Sequence, residues 1–254
     1  MTGQVFLQAT DKGGVGKTGL TCQGAIYNAL VLGKKVLLID IEPQANASRM
    51  LEAVPQKESK YASLLFAPCD TFPIVPGKHG VDVIPADHAL NGLPKDNALI
   101  LQFLKNIKVL REQYDAIFFD VPPSGEPLLT SAYAAATDVV GLLTCDTQSI
   151  MGLENFVGRM LSFKKKVNPS MRIKGFVVNL YDPRRAKQRQ LLDKINDVDV
   201  IRKNMMCAPI QNFSWIADCI DYCEPAWQKV RGSTAQKAKK QLLAFLKATY
   251  GSKK

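Results

Sequence analysis

Lys12-Gly13-Gly14-Val15-Gly16-Lys17-Thr18 lies directly behind an apolar run, Val5-Phe6-Leu7, and ahead of a helix-compatible segment. Glycines let a backbone fold tightly around an anion and aim consecutive N–H groups inward. The helix that follows adds the positive end of its dipole at the same spot. In such a loop Lys17 reaches the β and γ phosphates of a nucleoside triphosphate, and the Thr18 hydroxyl binds Mg²⁺. The stretch departs from the general phosphate-loop pattern in one respect. A glycine is expected five residues before Gly16, and Asp11 stands there. A second lysine, Lys12, occupies the loop entrance instead. Strand, anion loop and helix in that order indicate an α/β fold.

Around the loop, apolar and β-branched-rich runs alternate with longer helix-compatible segments. The expected strands are 5–9, 35–41, 81–85, 116–121, 139–144 and 173–180, with a short candidate at 205–209. Near-continuous apolar strands between helices indicate a mostly parallel, twisted sheet flanked by helices on both faces. Right-handed crossovers follow, and ligands gather at the carboxyl ends of the strands. Residues 12–18, Asp40 and Asp120 all fall at such ends. Stretch 56–78 has many prolines and no clear period, so it is expected to be irregular. Segment 233–250 reads as a helix. Ala235, Ala238, Leu242, Leu246 and Thr249 fall on one side, with Lys237, Lys239, Lys240 and Lys247 largely elsewhere.

The 254 residues, 46% of them hydrophobic, suit one α/β domain spanning 1–254. No run approaches the ~18 apolar residues of a membrane span. The start, Met1-Thr2-Gly3-Gln4, lacks the charge and apolar stretch of a signal peptide, so a cytoplasmic location is expected. Six cysteines form no CxxC pair, which argues against a zinc or dithiol redox site. Cys219 and Cys223, four apart, are expected to share a helix face as small apolar residues. The net charge of +10 favours polyanionic partners, although a merely soluble basic protein would carry it too.

Two further stretches bring carboxylates to strand ends. In Leu37-Leu38-Ile39-Asp40-Ile41-Glu42-Pro43-Gln44, strand alternation puts Asp40 and Glu42 on the same side. In Ala116-Ile117-Phe118-Phe119-Asp120-Val121-Pro122-Pro123, four apolar residues deliver Asp120 to the strand end and two prolines stiffen the exit. Together with the loop, these stretches resemble the nucleotide motifs of the ParA/MinD family of partition and positioning ATPases. That family has a P-loop NTPase fold with a deviant Walker A loop, which carries a lysine where Lys12 stands. The resemblance runs from about residue 5 to 235 and is strongest in the three nucleotide motifs.

The resemblance implies ATP and Mg²⁺ as cofactors and a weak ATP hydrolase producing ADP and phosphate. The ATP contacts would be Lys12, Gly13, Gly14, Val15, Gly16, Lys17, Thr18 and Gly19, with Asn179 and Pro209 near the base. Thr18, Asp40 and Asp120 would serve Mg²⁺, directly or through water, and Glu42 would orient the attacking water. The family usually has Asp where Glu42 stands. One extra methylene shifts the carboxylate by ~1 Å, and misplacement on that scale can cost ~10²-fold in rate. Lys12 would act with Lys17, Asp40 and Glu42 in catalysis. It would reach across an ATP-loaded C₂ homodimer to the partner's phosphates, as an arginine finger does.

The role implied first is a small ParA-like ATPase for plasmid or chromosome partition. ATP drives dimerisation, and the dimer binds DNA without sequence preference, which places it on the nucleoid. A ParB-class DNA-binding adaptor then stimulates hydrolysis and release. Arg202, Lys203 and Arg231 are the candidate DNA contacts, with Lys164-Lys165-Lys166 and Arg184-Arg185 as further cations. Only eleven residues precede Lys12, so no N-terminal helix-turn-helix domain is expected. Two alternatives differ in class. A MinD-like positioning ATPase would attach to lipid through 242–247, but docking of that helix on the sheet is the preferred expectation, so a membrane partner is not. A metabolic or transport enzyme on the same scaffold would need a second substrate motif, and none is evident.

Overall fold

The computed structural model describes residues 2–53, 56, 59–123, 127–212, 223–228 and 232–251. Seven strands form one sheet: β1 (Gln4–Ala9), β2 (Val36–Asp40), β3 (Val75–Pro76), β4 (Val81–Ile84), β5 (Ala116–Asp120), β6 (Asp138–Thr144) and β7 (Arg172–Asn179). Their order is β3-β4-β2-β5-β1-β6-β7. Every neighbouring pair is parallel except the short β3 against β4. Every position of β2, β5 and β6 is buried, which is why these strands read as unbroken apolar runs.

Alternate strand residues feed two cores. Leu7, Ile39, Ile117 and Phe119 pack on one face, with Phe103, Ile107 and Leu110 of α3 (Asn97–Gln113), Ala132 of α4 (Leu128–Ala135) and Phe156 and Met160 of α6 (Leu153–Lys166). Phe6, Leu38 and Phe118 face the other way. They meet Leu20, Ala25 and Ile26 of α1 (Lys17–Leu30) and Leu242, Phe245 and Leu246 of α9 (Ser233–Tyr250). Burying each of the large apolar side chains among these contributes about 1.5–3 kcal/mol. The remaining helices are α2 (Asn46–Met50), α5 (Thr147–Met151), α7 (Ala186–Asp197) and α8 (Asp199–Arg202).

This order fixes the site. β1 lies between β5 and β6, so the loop after β1 is flanked by the ends of both. The β2–β5 register sets Asp40 directly beside Asp120.

Two local expectations change, and a third falls partly outside the described residues. The segment at 205–209 is not a strand. It touches β7 through a bridge between Phe176 and Met205, and Ile210 N donates to the Val178 carbonyl, 2.9 Å away. Pro209 has no N–H to continue a ladder. Stretch 56–78 is largely irregular in its described residues, yet it contains β3 and a 3₁₀ turn, Ala62–Phe66, that buries Leu65 and Phe66. Cys219 lies outside the described residues. Cys223 is buried in a turn at φ +48°.

Candidate functional site

The loop between β1 and α1 makes an anion cradle through its backbone. Gly14 and Gly16 take φ +73° and +82°, which side-chain-bearing residues adopt only at a cost. A Cβ on Gly16 would lie 2.5 Å from Asn179 Nδ2, whereas one on Gly13 or Gly14 would meet nothing within 4 Å. The loop is thus closed beneath and open above. No side chain caps the first turn of α1, which leaves its N–H groups to an external acceptor.

Lys17 is buried and donates to Asp120 Oδ1 across 2.6 Å. Asp120 is fully buried, and its Oδ2 has no hydrogen-bond partner among the described residues. Beside it, Asp40 is fully engaged. Its Oδ1 accepts from Glu42 N at 3.1 Å, and its Oδ2 accepts from Ser48 N at 2.8 Å and Ser48 Oγ at 2.7 Å. Burial, and next the Asp120 charge, push the Asp40 carboxyl up to about 7 against the pull of Ser48 and Glu42. Burial also raises Glu42, while Lys17 opposes that rise.

Lys17 bonds Asp120 and pulls on Glu42, Asp40 has no such cation, and one buried Asp120 oxygen has no partner among the described residues. That is a fit for a hard divalent cation. No cluster of three His, Cys, Asp or Glu side chains among the described residues could cage a metal. Mg²⁺ seldom needs such a cage, because it is held by one or two carboxylates, waters and substrate phosphates. Thr18 at the start of α1 and Asp120 Oδ2 supply suitable oxygens, whereas Asp40 spends both of its own on shaping the β2–α2 turn.

Lys12 stands apart from Lys17. Its Nζ lies 2.7 Å from Asp146 Oδ1, and the two side chains are 37% and 34% exposed. Asp146 also accepts from Thr144 Oγ1 at 2.6 Å, Ser149 N at 3.0 Å and Ser149 Oγ at 2.8 Å. Burial works to raise this carboxyl, but Lys12, Thr144 and Ser149 outweigh it and hold it well below the usual carboxylate range. Next in the chain, Asp11 pairs with Arg159 at 2.9 Å. Lys12, Asp11 and Arg159 border a cavity of about 330 Å³ that also touches Gln148 and Phe156.

Asn179 ends β7, and Pro209 directly precedes Ile210, whose N–H donates to the Val178 carbonyl at 2.9 Å. The Asn179 amide donates to the Val15 carbonyl, 2.9 Å away, so it buttresses the phosphate loop from below. Arg202 and Lys203 lie at the end of α8, exposed and paired with Asp199 at 2.5 and 3.5 Å. Arg231 lies outside the described residues. Among the further cations, Lys164 donates to the Met171 carbonyl and Arg184 pairs with Asp182. Sequence reasoning missed Ser48, which fixes Asp40, and Asp146, which holds Lys12. The Asp146-x-x-Ser149 spacing is a helix-capping signal that could have drawn attention to the second.

Comparison with known proteins places these features. Residues 3–173 match the family described as AAA domain. The chain is 33% identical over 190 residues, 72% of each protein, to the chromosome-partitioning ATPase Soj of Thermus thermophilus. The fold resembles an ATP complex of a Cyanothece McdA variant, with a TM-score of 0.78, 16% identity and coverage of 100% and 98%. It also resembles cobyrinic acid a,c-diamide synthase from Mycobacterium smegmatis with bound ATP analog and magnesium. There the TM-score is 0.76, the identity 24% and the coverage 96% and 95%.

Proposed function

The chain belongs to the ParA/MinD family of ATPases and hydrolyses ATP with Mg²⁺, and from that premise we propose that it is a partition ATPase working as an ATP-clasped homodimer. Residues 1–254 form a single ATPase domain in this reading. The backbone of residues 13–18 holds the phosphates, and Lys17 exchanges Asp120 for phosphate oxygen. Thr18 and Asp120 hold Mg²⁺, which neutralises charge on the transferred phosphoryl group. Asp40 acts on the metal side mainly through shape, because its hydrogen bond to Glu42 N sets where Glu42 begins. Glu42 then orients the attacking water. Asn179 and Pro209 flank the base.

The observation that carries the dimer is the pair of lysines. Lys17 already supplies a buried cation to the cradle, and Lys12 sits at the rim, more than a third exposed, where a second subunit could meet it. The ATP dimer binds DNA without sequence preference, in keeping with the net charge of +10, and a ParB-class adaptor releases it by stimulating hydrolysis. Lipid attachment is disfavoured because Leu242, Phe245 and Leu246 are fully buried against the sheet. Among the described residues no helix is long and apolar enough to cross a membrane.

The test is size analysis by light scattering with ATP, ADP or no nucleotide, with and without DNA. ATP alone should produce a dimer, DNA should bind only that dimer, and Lys12→Ala should abolish both. A Lys12→Ala protein that dimerises and hydrolyses normally would rule the reading out. A second reading, a synthase-type enzyme, is favoured by the cavity beside Lys12. It predicts ATP turnover that DNA and adaptor leave unchanged.

A further inference from the structure

We infer that the cavity at the amino ends of β1, β6 and β7 binds a small phosphate ester bearing a free hydroxyl, at a site separate from the one that holds ATP. It lies within one chain and does not depend on dimerisation.

Ligands of a parallel sheet usually collect at the carboxyl ends of its strands, which is where the phosphate loop stands. At the opposite end a cavity of about 720 Å³ is bounded by Asp138 and Arg172, the first residues of β6 and β7. Lys34, just beyond α1, and the last turn of α9 close its sides, with Phe6 and Leu32 as apolar wall. Its volume falls in the range of small-molecule sites, about 300–1,000 Å³.

The described lining carries three cations, Lys34, Arg172 and Lys174, against one carboxylate, Asp138. Arg172 is committed to that carboxylate, 2.8 Å away, and Lys174 donates to the Thr249 carbonyl at 2.6 Å. Lys34 is half-buried, and its ammonium makes no hydrogen bond or ion pair among the described residues. Its nearest feature is the Phe6 ring, 6.0 Å from the centroid. Burial pushes this ammonium down, the Asp115 charge opposes that, and Lys174 adds to the fall. A half-buried cation set near a second one is relieved by an anion. The excess of positive charge suits a phosphate monoester, which carries about −1.5 to −2 at pH 7. A monocarboxylate would match only half of it. Asp138 is 1% exposed and accepts from Thr137 Oγ1 and Arg172 through Oδ2, whereas Oδ1 has no donor among the described residues. That carboxylate has capacity for one more donor, which a hydroxyl of the ester supplies.

β7 is shaped for this role. Val139 pairs with Ile173 and Val140 with Gly175, so Lys174 is an extra residue in the ladder. Such a bulge breaks the side-chain alternation and re-aims a residue, and here 172, 173 and 174 all line the cavity. Gly175 makes the bulge possible. It takes φ +143°, and a Cβ there would lie 2.2 Å from the Asn204 carbonyl oxygen.

The test uses the full chain saturated with Mg²⁺ and ADP, so that the phosphate loop is already filled. Ribose 5-phosphate is titrated by calorimetry, with inorganic phosphate alongside. One ribose 5-phosphate should bind per chain, and more tightly than inorganic phosphate. Lys34→Gln should weaken it roughly 10- to 100-fold, while Lys240→Gln, exposed and outside the cavity, should not. Amide NMR of the wild type should show shifts at Lys34, Asp138 and 172–174 and none at 12–18, which locates the probe even if Lys34→Gln fails to fold. No saturable binding, equal affinity in Lys34→Gln, or shifts confined to 12–18 overturns the site. Equal affinity for ester and inorganic phosphate means an adventitious ion only and overturns the ester. Displacement of ribose 5-phosphate by duplex DNA would assign these cations to nucleic acid and overturn the small ligand.

Discussion

Asp40 shows how position alone changes a carboxylate. Burial beside Asp120 lifts it to about 7, far above the ~4 of an unfolded chain. Between pH ~4 and ~7 the folded protein therefore keeps a proton that the unfolded chain has released. Linkage then makes folding stability fall as pH rises through that window and level off above it. Asp40→Asn removes this titration. In denaturant melts without nucleotide, wild type should lose stability relative to Asp40→Asn from pH 4 to 7, and a flat difference would refute the account. Gly16 is the contrasting case. Its need to be glycine was legible, because phosphate loops require such conformations. The second reason, the Asn179 amide packed beneath it, was not, because Asn179 is remote in sequence.

The helix α9 is where element-scale reading succeeded and stopped short. The expected stripe included Ala238, Leu242 and Leu246, and all three are buried. Phe245 was not in that stripe, yet it is fully buried, and Tyr250 packs edge-on against Phe6 and Phe118. A sheet is wider than a helix seam, so it covers more of the helix than a narrow stripe allows. Phe245→Ala should cost about 3–5 kcal/mol of folding stability in denaturant titration. A helix kept free for lipid would tolerate the change, so a near-neutral effect would revive the membrane alternative. The segment at 205–209 failed as a strand for a related reason. Met205, Met206 and Cys207 are only half-buried where the segment meets β7, and pairing also needs a continuous ladder of donors, to which Pro209 cannot contribute.

At the scale of the molecule, an excess of ten positive charges acts on any polyanion without regard to sequence. DNA binding by the ATP form should weaken linearly in log–log terms with salt, with a slope of about −0.9 per phosphate contact, and unrelated duplexes should give the same slope. Filter binding or fluorescence anisotropy reads this directly; salt-insensitive or sequence-selective binding would contradict the partition role. By itself the sequence determined the anion loop, the strand runs and the docked C-terminal helix, because glycine sterics and hydrophobic period are properties of neighbouring residues. Only the tertiary structure decided that β1 separates β5 from β6 and that β2 lies beside β5. From that order follow Asp40 beside Asp120, Lys17 on Asp120, Asn179 under Val15 and Lys12 on Asp146. Lys17 and Asp120 are 103 residues apart, and Asn179 and Val15 are 164 apart. No local pattern specifies such partners, because they are set by which strands become neighbours when both faces of the sheet are buried.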